Sequence, residues 1–399
     1  MSRFYSYLNT AKQIVSDYNG TVPLSGWLKN YYASRKQMGS RDRREVSQLV
    51  YQYYRLGNAC KNEPIETRFA ISIFLCNDKP NELLSLLKPE WNQSIEMSYL
   101  DKMAMIDGFD SFDIFPFTDE LSIEGMYKSG FCNTHLFQPF LFLRIRPNQL
   151  EIVIQKLTSN NIDFLQLRKN CLVLDNTTKV DDILLIDKEV VIQDYSSQLI
   201  GTFLNFFKLL RQNNSKQLKV WDCCAASGGK SILAVDILGK INLTVSDIRE
   251  TIIHNLRKRF ERAGISKYQS FIIDVSKKNT QFEKQKFDLI ICDAPCSGSG
   301  TWGRTPENLV HFKKEQISYY SNLQKTIVSN VIGSLEKGGY LLYITCSVYE
   351  EENEGVVSFL LNQFQELELK KQELILGYAL ETENKADSMF AALFKYKSV

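Results

Sequence analysis

The chain has 399 residues, longer than a typical single domain, which predicts two or three domains. Hydrophobic residues make up 44%, enough for sizeable cores, and 48 basic side chains against 46 acidic ones leave the net charge close to zero. This balance excludes a chain-wide basic footprint, so any nucleic-acid contact must come from a local basic patch.

Cysteine and histidine usage argues against disulfides and against a metal site. The 9 cysteines are an odd number scattered through apolar segments, the 3 histidines lie far apart, and no CxxC pair occurs. This pattern predicts reduced thiols in a cytoplasmic protein and no bound metal. Since no apolar run reaches the length of a membrane span, we also expect no membrane partner.

Residues 1–110 are predicted to form a helical domain. Its clearest helix is Ser40–Arg55, with Ser40 as the N-cap. The apolar stripe that this helix should bury consists of Val46, Leu49, Val50, Tyr53 and Tyr54. Basic residues crowd the same region, namely Arg35, Lys36, Arg41, Arg43, Arg44 and Arg55. This cluster could bind phosphate groups or could be a solvated helix face, and the charges alone favour neither.

Residues 130–198 are predicted to form a small α+β, RRM-like subdomain after a loop-like stretch over about 111–130. Its predicted elements are a strand at Phe140–Arg146, a helix opened by Pro147 that runs to about Ser159, and a strand at Cys171–Asp175. A helix over Leu199–Leu210 and the polar spacer Arg211–Gln217 follow. A third domain is predicted over residues 199–399.

Beyond Leu218, predicted strands and helices alternate. We predict strands over 218–223, 242–247, 270–274, 287–292 and 339–345, and helices over about 229–239, 249–263, 315–336 and 350–364. Such alternation predicts an α/β fold with a doubly wound parallel sheet. Ligands of these sheets bind outside the carboxyl ends of the strands, so the loops at those ends are the candidate site.

The first of these strands leads into the loop Cys224–Lys230, in which two adjacent glycines precede a helix. Glycines let the backbone approach a ligand closely, and helix N-terminal amides favour an anionic group such as a carboxylate. The loop has neither the GxGxxG nor the Walker spacing, so a plain strand-to-helix turn is the alternative. Four successive strands also end at or near an acidic residue, namely Asp222, Asp247, Asp274 and Asp293. Several of these carboxylates together could hold a nucleoside.

The last two predicted strands of this series end in cysteine-containing segments, Asp293–Gly300 and Tyr343–Ser347. Cys296 and Cys346 are thereby expected at one crevice, and two thiols there suggest covalent catalysis. Five other cysteines are interpreted as small buried hydrophobic residues, namely Cys60, Cys76, Cys171, Cys223 and Cys292.

These segments resemble the RNA cytosine-C5 methyltransferases of the Sun/Fmu family. Cys224–Lys230 looks like the S-adenosylmethionine loop of that family, and Asp293–Gly300 and Tyr343–Ser347 with Glu352–Glu354 look like its two cysteine motifs. Val191–Gln198 and Asp387–Ala391 resemble the motif before its catalytic sheet and its closing strand. The matches span about residues 140–397, while residues 1 to about 105 more loosely resemble the antiterminator-like RNA-binding domain of the ribosomal RNA members.

The resemblance implies a Rossmann-like, S-adenosylmethionine-dependent methyltransferase domain that makes 5-methylcytosine in RNA. It favours ribosomal RNA over other RNAs as the substrate. It makes Cys346 the nucleophile that attacks carbon 6 of cytosine, gives Cys296 a part in product release, and puts Asp293 between cofactor and base. The cofactor-binding residues that it implies are Cys224, Ala225, Ala226, Ser227, Gly228, Gly229 and Lys230, with Asp247 at the ribose, Asp274 at the adenine edge and Asp293.

Two positions depart from the family pattern. Ser227 stands where the family usually has proline, and Ser388 stands where it often has glycine. Because the fixed φ of proline is lost, the cofactor loop could be looser. The flanking residues are retained at both positions, so we expect altered affinity rather than loss of activity.

Other functions stay open at this point. Transfer RNA is an alternative substrate, and a non-catalytic RNA-binding ribosome assembly factor would use the helical domain without needing the two cysteines. DNA cytosine methylation uses a nucleophile in the Pro-Cys loop, and the Thr345-Cys346-Ser347 motif argues against it. For RNA methylation the target cytosine must be single-stranded or flipped out of its stack, and we expect the protein to act as a monomer.

Overall fold

The computed structural model describes residues 3–123, 125–211, 216–278, 285–377 and 385–397. The chain forms two compact units, one comprising Met1–Gln138 with Thr301–Lys314 and the other comprising Pro139–Gly300 with Glu315–Val399. The predicted division into domains at 1–110, 130–198 and 199–399 differs from this one and stays a prediction. In particular, the predicted third range contains residues 301–314, which pack with the N-terminal unit.

The first unit is helical. Its α-helices are α1 Arg3–Asp17, α2 Leu24–Ala33, α3 Ser40–Arg55, α4 Ile65–Cys76, α5 Glu82–Leu87, α6 Pro89–Gln93, α7 Tyr99–Ala104 and α8 Gly125–Thr134, with the short helix Asn308–His311 from the inserted segment. Helix α3 buries the predicted stripe, from Val46 to Tyr54, because its apolar residues recur at helical spacing. Helix α8 lies partly in the stretch predicted to be loop-like.

Two predictions about α3 are wrong. Its N-cap position is Gly39 rather than Ser40, and the Asp42 carboxylate accepts the Gly39 N–H at 3.1 Å, which satisfies one of the free amides of the first turn. Arg55 is not part of a basic surface. Its guanidinium is buried and donates to the carbonyl oxygens of His135 and Phe137 at 2.9 and 2.8 Å, so it stabilises the helical unit instead.

The inserted segment 301–314 is held in the helical unit by buried contacts. The Glu307 carboxylate accepts the Leu24 N–H at the start of α2 at 3.0 Å. The His311 ring packs edge-on to Tyr18 with centroids 5.2 Å apart, and Trp302 stacks on Phe115 at 5.1 Å. The chain therefore passes from the Asp293–Gly300 segment directly into a well-packed part of the other unit.

The second unit begins with a small antiparallel sheet. Its strands are β1 Leu141–Ile145, β2 Leu165–Arg168, β3 Cys171–Leu174 and β4 Val190–Ile192 in the order β2-β3-β1-β4, with helix α9 Leu150–Ser159. The helix begins three residues after Pro147 because Asn148, at φ 63°, adopts a left-handed conformation that ends any earlier turn. Strand β2 was not predicted. Helices α10 Tyr195–Leu199 and α11 Gly201–Leu210 follow, and most of the predicted spacer lies outside the described residues.

The second unit continues into a larger sheet of seven strands. These are β5 Lys219–Asp222, β6 Asn242–Asp247, β7 Tyr268–Ile272, β8 Phe287–Asp293, β9 Leu335–Thr345, β10 Leu367–Ile375 and β11 Met389–Tyr396. Their order is β10-β11-β9-β8-β5-β6-β7. The five strands from β5 to β9 are parallel, and β11 runs antiparallel to both β9 and β10. All five predicted strands are confirmed within a few residues, while β10 was not predicted.

Helices cover both faces of this sheet, as a doubly wound fold requires. The helices are α12 Gly229–Leu238, α13 Glu250–Arg262, α14 Glu315–Ile332 and α15 Glu354–Gln363. Alternate residues of β8 pack into two separate apolar layers, with Leu289 and Ile291 against α11 to α13 and Ile290 and Cys292 against α14 and α15. Among the described helices, none combines the length and the apolar character needed to cross a membrane.

Candidate active site

The candidate site lies at the carboxyl ends of β5 and β8, which are neighbouring parallel strands. From β5 the chain order runs outward through β6 to β7, and from β8 it runs outward in the other direction to β9. Loops on either side of such a reversal diverge and leave a crevice between them. The loop Cys224–Gly228 and the loop Ala294–Gly298 border this crevice, so the topology accounts for the juxtaposition that the sequence predicts.

The two predicted catalytic thiols are in contact. The Sγ atoms of Cys296 and Cys346 lie 3.3 Å apart, and both side chains are half-buried. The hydrogen bond with Cys346 and burial together hold the pKa of the Cys296 thiol well above its usual range. Cys296 therefore stays a protonated thiol at neutral pH and can donate to the Cys346 sulfur.

Gly300 fixes the end of the first cysteine segment against the second. Its N–H donates to the Cys346 carbonyl at 2.9 Å, and its own carbonyl accepts from the Ser388 N–H at 2.8 Å. A Cβ built at Gly300 would lie 2.1 Å from the Ser388 carbonyl oxygen, so only glycine fits there. Ser388, the second departure from the family pattern, contributes only its backbone to these contacts.

Glu352 links the two cysteine loops. Its buried carboxylate accepts the Ser297 N–H at 2.9 Å from one loop and the Ser347 hydroxyl at 2.6 Å from the other. The Gln324 side chain on α14 also donates to it at 2.9 Å and donates to the Pro295 carbonyl at 3.0 Å. Burial raises the pKa of Glu352, although these hydrogen bonds act in the opposite direction. The sequence indicated Glu352 as part of a motif but gave no reason to expect Gln324.

Asp293 faces Lys230 across the crevice. The Asp293 carboxylate and the Lys230 ammonium lie 3.2 Å apart, and Lys230 also donates to the Ser197 hydroxyl at 2.8 Å. Ser197 in turn accepts from the Gln193 side chain at 3.0 Å. The segment before the large sheet thus orients Lys230 and, through it, Asp293. Ser197 was not among the predicted site residues, and only the resemblance of Val191–Gln198 to a family motif pointed to it.

The predicted cofactor loop has an unusual backbone. Ala226 and Gly228 both adopt left-handed conformations, with φ 45° and 84°. The Ala226 N–H donates to Asp247 at 3.1 Å, which ties the loop to the end of β6. Arg249 also binds Asp247, through its backbone N–H and its guanidinium, both at 3.0 Å. The carboxylate that the resemblance assigns to the ribose is therefore already shared between two partners.

Asp222, at the end of β5, is a fully buried acid. The sequence indicated it as one of four acidic strand ends, but the family resemblance gave it no role. One of its oxygens accepts the Ser231 hydroxyl at 2.6 Å, and the other, Oδ1, has no hydrogen-bond partner within the described part of the chain. Burial, reinforced by the Asp293 charge, raises the pKa of Asp222 to about 7. A cationic or N–H-bearing ligand group beside the loop would satisfy this oxygen.

Asp274 lies just beyond β7, at the edge of the parallel part of the sheet. Its carboxylate accepts the Ser276 hydroxyl at 2.5 Å and the Ser276 N–H at 3.1 Å, and Lys277 lies 3.4 Å away. These hydrogen bonds lower the pKa of Asp274, chiefly through the Ser276 hydroxyl. The side chain is half-buried and thus remains accessible to a ligand.

The nine cysteines all lie within the described residues, and none of them is in a disulfide bond. Cys171, Cys223 and Cys292 are buried as predicted, whereas Cys60 and Cys76 are only half-buried. The sulfurs of Cys223, Cys224 and Cys292 lie within 4.8 Å of one another, close enough for one metal ion to bridge them. The sequence did not indicate this cluster because it arises from two neighbouring strands rather than from a local spacing.

Comparison with known proteins shows which proteins the region around this site is similar to. Residues 208–395 match the family model of the 16S rRNA methyltransferase RsmB/F. The probable ribosomal RNA small subunit methyltransferase B of Bacillus subtilis is 27% identical over 244 residues, which cover 59% of this chain and 52% of that protein. The ribosomal RNA small subunit methyltransferase B of Yersinia pseudotuberculosis is 30% identical over 180 residues, 45% of this chain and 40% of that protein. The chain thus spans about half the length of these curated relatives or less.

Solved structures share the fold. The crystal structure of PH0851 has 18% sequence identity and a TM-score of 0.68, and the match covers 92% of this chain and 93% of that one. A methyltransferase homologue from Pyrococcus horikoshii has 20% identity and a TM-score of 0.55, covering 75% and 95%. These likenesses confirm the predicted Rossmann-like architecture. The resemblance to Sun/Fmu-type enzymes is confirmed as well, because residues 208–395, which contain both cysteine loops, match the model of the 16S rRNA methyltransferase RsmB/F family.

Proposed function

We propose that this protein transfers a methyl group from S-adenosylmethionine to carbon 5 of a cytosine in RNA, with small-subunit ribosomal RNA as the substrate. The observation that carries the proposal is the contact between the Cys296 and Cys346 sulfurs, which lie 3.3 Å apart beyond the carboxyl ends of two neighbouring parallel strands. The RsmB/F family match and the names of the curated relatives support ribosomal RNA over transfer RNA. We further propose that the enzyme acts as a monomer and that the target base is single-stranded or extruded from its stack.

The residues around the loop Cys224–Lys230 suit S-adenosylmethionine. The buried, unpartnered Oδ1 of Asp222 is an acceptor for an ammonium group, and the first amides of α12 are donors for a carboxylate. Asp247 and Asp274 are acceptors for ribose hydroxyls and for the adenine amine. When bound, S-adenosylmethionine supplies an electrophilic methyl group. The loop backbone, Lys230 and the acidic strand ends would hold it in place.

Cys346 would act as the nucleophile. Carbon 5 of cytosine is a poor nucleophile until a thiolate adds to carbon 6, since addition breaks the carbon 5–carbon 6 double bond and makes an enamine. Asp293, protonated or hydrogen-bonded at ring nitrogen 3, would orient the base and stabilise the enamine. Lys230, 3.2 Å from the Asp293 carboxylate, would hold that side chain in position.

Product release would reverse the addition. Transfer of the carbon 5 proton to solvent water returns the electron pair of the carbon 5–hydrogen bond to the carbon 5–carbon 6 bond, while the bond from carbon 6 to the Cys346 sulfur breaks and the sulfur leaves as a thiolate. Cys296, a protonated thiol in contact with that sulfur, would donate a hydrogen bond to the departing thiolate. Because a protonated thiol can donate a hydrogen bond but is a poor nucleophile, we assign Cys296 to product release rather than to attack.

Bisulfite sequencing of total RNA from cells with and without this protein tests the proposal. We expect one protected cytosine of small-subunit ribosomal RNA to become convertible when the protein is absent. A change confined to transfer RNA would shift the substrate assignment. No change in any RNA, together with no heat of S-adenosylmethionine binding by titration calorimetry, would favour the alternative of a non-catalytic assembly factor.

A further inference from the structure

Ser227, at the centre of the cofactor loop, is bound by a side chain from a neighbouring helix. The Arg259 guanidinium, in the last turn of α13, donates to the Ser227 hydroxyl at 2.9 Å and to the Ser227 carbonyl at 3.3 Å. These contacts lie between Ala226 and Gly228, the two loop residues with left-handed backbone. The part of the loop with the most demanding backbone is thus the part that Arg259 contacts.

Arg259 is itself held by a buried acid. Its Nε donates to Asp187 at 2.6 Å, and the Asp187 side chain is only 1% exposed. Arg262, one turn further on α13, donates to the other Asp187 oxygen at 2.8 Å. Because Asp187 precedes β4 in the small sheet, a rigid element outside the loop fixes the direction of the Arg259 side chain. A charge-assisted hydrogen bond from such an oriented guanidinium is stronger than a neutral one.

Helix α13 also contacts the loop through the Phe260 ring. A Cβ built at Gly228 would lie 2.6 Å from the Phe260 ring, so Gly228 packs directly on the residue after Arg259. Among the described residues, no atom accepts a hydrogen bond from the Ser227 N–H, so a proline at this position would lose no backbone bond. The Sun/Fmu-type loops that this loop resembles usually have proline at the position of Ser227, and the fixed φ of proline restrains the backbone.

We propose that Arg259, oriented by Asp187, is a positioning residue that holds the loop Cys224–Gly229 in its cofactor-binding shape and replaces the restraint that proline would provide at position 227. The inference rests on the proposed binding of S-adenosylmethionine by this loop. It extends that function by assigning a role to residues outside the sequence motifs.

Binding, kinetic and exchange measurements on the 399-residue chain test this role. Titration calorimetry with S-adenosylmethionine should give a Kd about tenfold higher for Arg259→Ala than for the wild type. The matched control is Arg257→Ala, on the same helix, whose guanidinium contacts Ser270 instead of the loop and whose Kd should stay unchanged. In methylation assays Arg259→Ala should raise the KM for S-adenosylmethionine and leave kcat unchanged at saturation.

The double variant Ser227→Pro/Arg259→Ala should recover most of the lost affinity, because proline restores the restraint. A merely structural role for Arg259 predicts no such rescue. Hydrogen–deuterium exchange of the ligand-free loop should be faster in Arg259→Ala than in Arg257→Ala, and this readout does not depend on cofactor binding. Wild-type affinity and wild-type exchange in Arg259→Ala, or failure of proline to rescue, would overturn the inference. Failure of the wild type to bind S-adenosylmethionine would instead overturn the proposed function.

Discussion

Replacing Glu352 is the perturbation that should separate the two cysteine loops. Glu352→Ala removes the acceptor of the Ser297 N–H, of the Gln324 side chain and of the Ser347 hydroxyl. Ser347 also bonds to the hydroxyls of Ser297 and Ser299, so the donors left without a partner are the N–H of the half-buried Ser297 and one N–H of the buried Gln324 side chain. Each such donor costs about 1–3 kcal/mol, which predicts a loss of roughly 2–6 kcal/mol. The melting temperature should therefore fall by about 10 °C.

Glu352→Gln is the matched control for this prediction. The amide oxygen can still accept from Ser297 and Gln324, and the amide NH2 can donate to a rotated Ser347 hydroxyl. Only the charge-assisted share of the interaction is lost, so the expected destabilisation is about 1 kcal/mol or less. Because burial raises the pKa of Glu352, the wild type gains stability at low pH and loses it as the pH rises through that pKa. The stability of Glu352→Gln relative to the wild type should therefore improve with rising pH.

Thermal unfolding and disulfide trapping together test whether Glu352 holds the two cysteine loops together. Treatment with diamide should join Cys296 and Cys346 rapidly in the wild type and in Glu352→Gln, since their sulfurs are 3.3 Å apart. Peptide mapping should find the same bond forming several times more slowly in Glu352→Ala, because the two loops are no longer held together. Wild-type melting and wild-type trapping in Glu352→Ala would refute the reasoning.

Further predictions concern single charged or titratable residues, each with its own measurement. Because burial raises the pKa of Asp222 to about 7, its ionisation opposes folding as the pH rises toward that value, and the melting temperature of Asp222→Asn relative to the wild type should increase from pH 5 to pH 8. Arg249→Ala frees the buried Asp247 carboxylate from its ion pair with the exposed Arg249 side chain, so calorimetry should show up to about fivefold tighter S-adenosylmethionine binding, and weaker binding would contradict this expectation. Burial lowers the pKa of His135 to about 4, so the folded state loses roughly 3 kcal/mol as the pH falls from above 6.5 to 4, and chemical denaturation of His135→Gln should lack this loss.

The sequence predicted the parallel strands and the site at their ends because each strand is a short apolar run bounded by turn residues. Cys296 and Cys346 could be paired in advance because their loops follow neighbouring strands. By contrast, β10 is a polar edge strand whose lysines and glutamates break the alternation that identifies strands. The residues that orient the site also escaped prediction. Gln324 and Glu352, or Arg259 and Ser227, are brought together by tertiary packing and share no local spacing.

The packing of residues 301–314 in the helical unit also could not be predicted from local sequence patterns. Its buried contacts join Glu307 to Leu24 and His311 to Tyr18, pairs separated by most of the chain. A local pattern predicts a short helix there at best, and only the folded structure assigns the segment to a unit.

In the proposed mechanism, Cys346 attacks the cytosine and Cys296 helps to release the product. Incubation of the Cys296→Ala variant with substrate RNA and S-adenosylmethionine tests this claim most directly, with denaturing gels to detect protein bound covalently to RNA. We predict a stable adduct with Cys296→Ala, and neither an adduct nor methylation with Cys346→Ala or the double variant. An adduct in Cys346→Ala, or full turnover by that variant, would contradict the account.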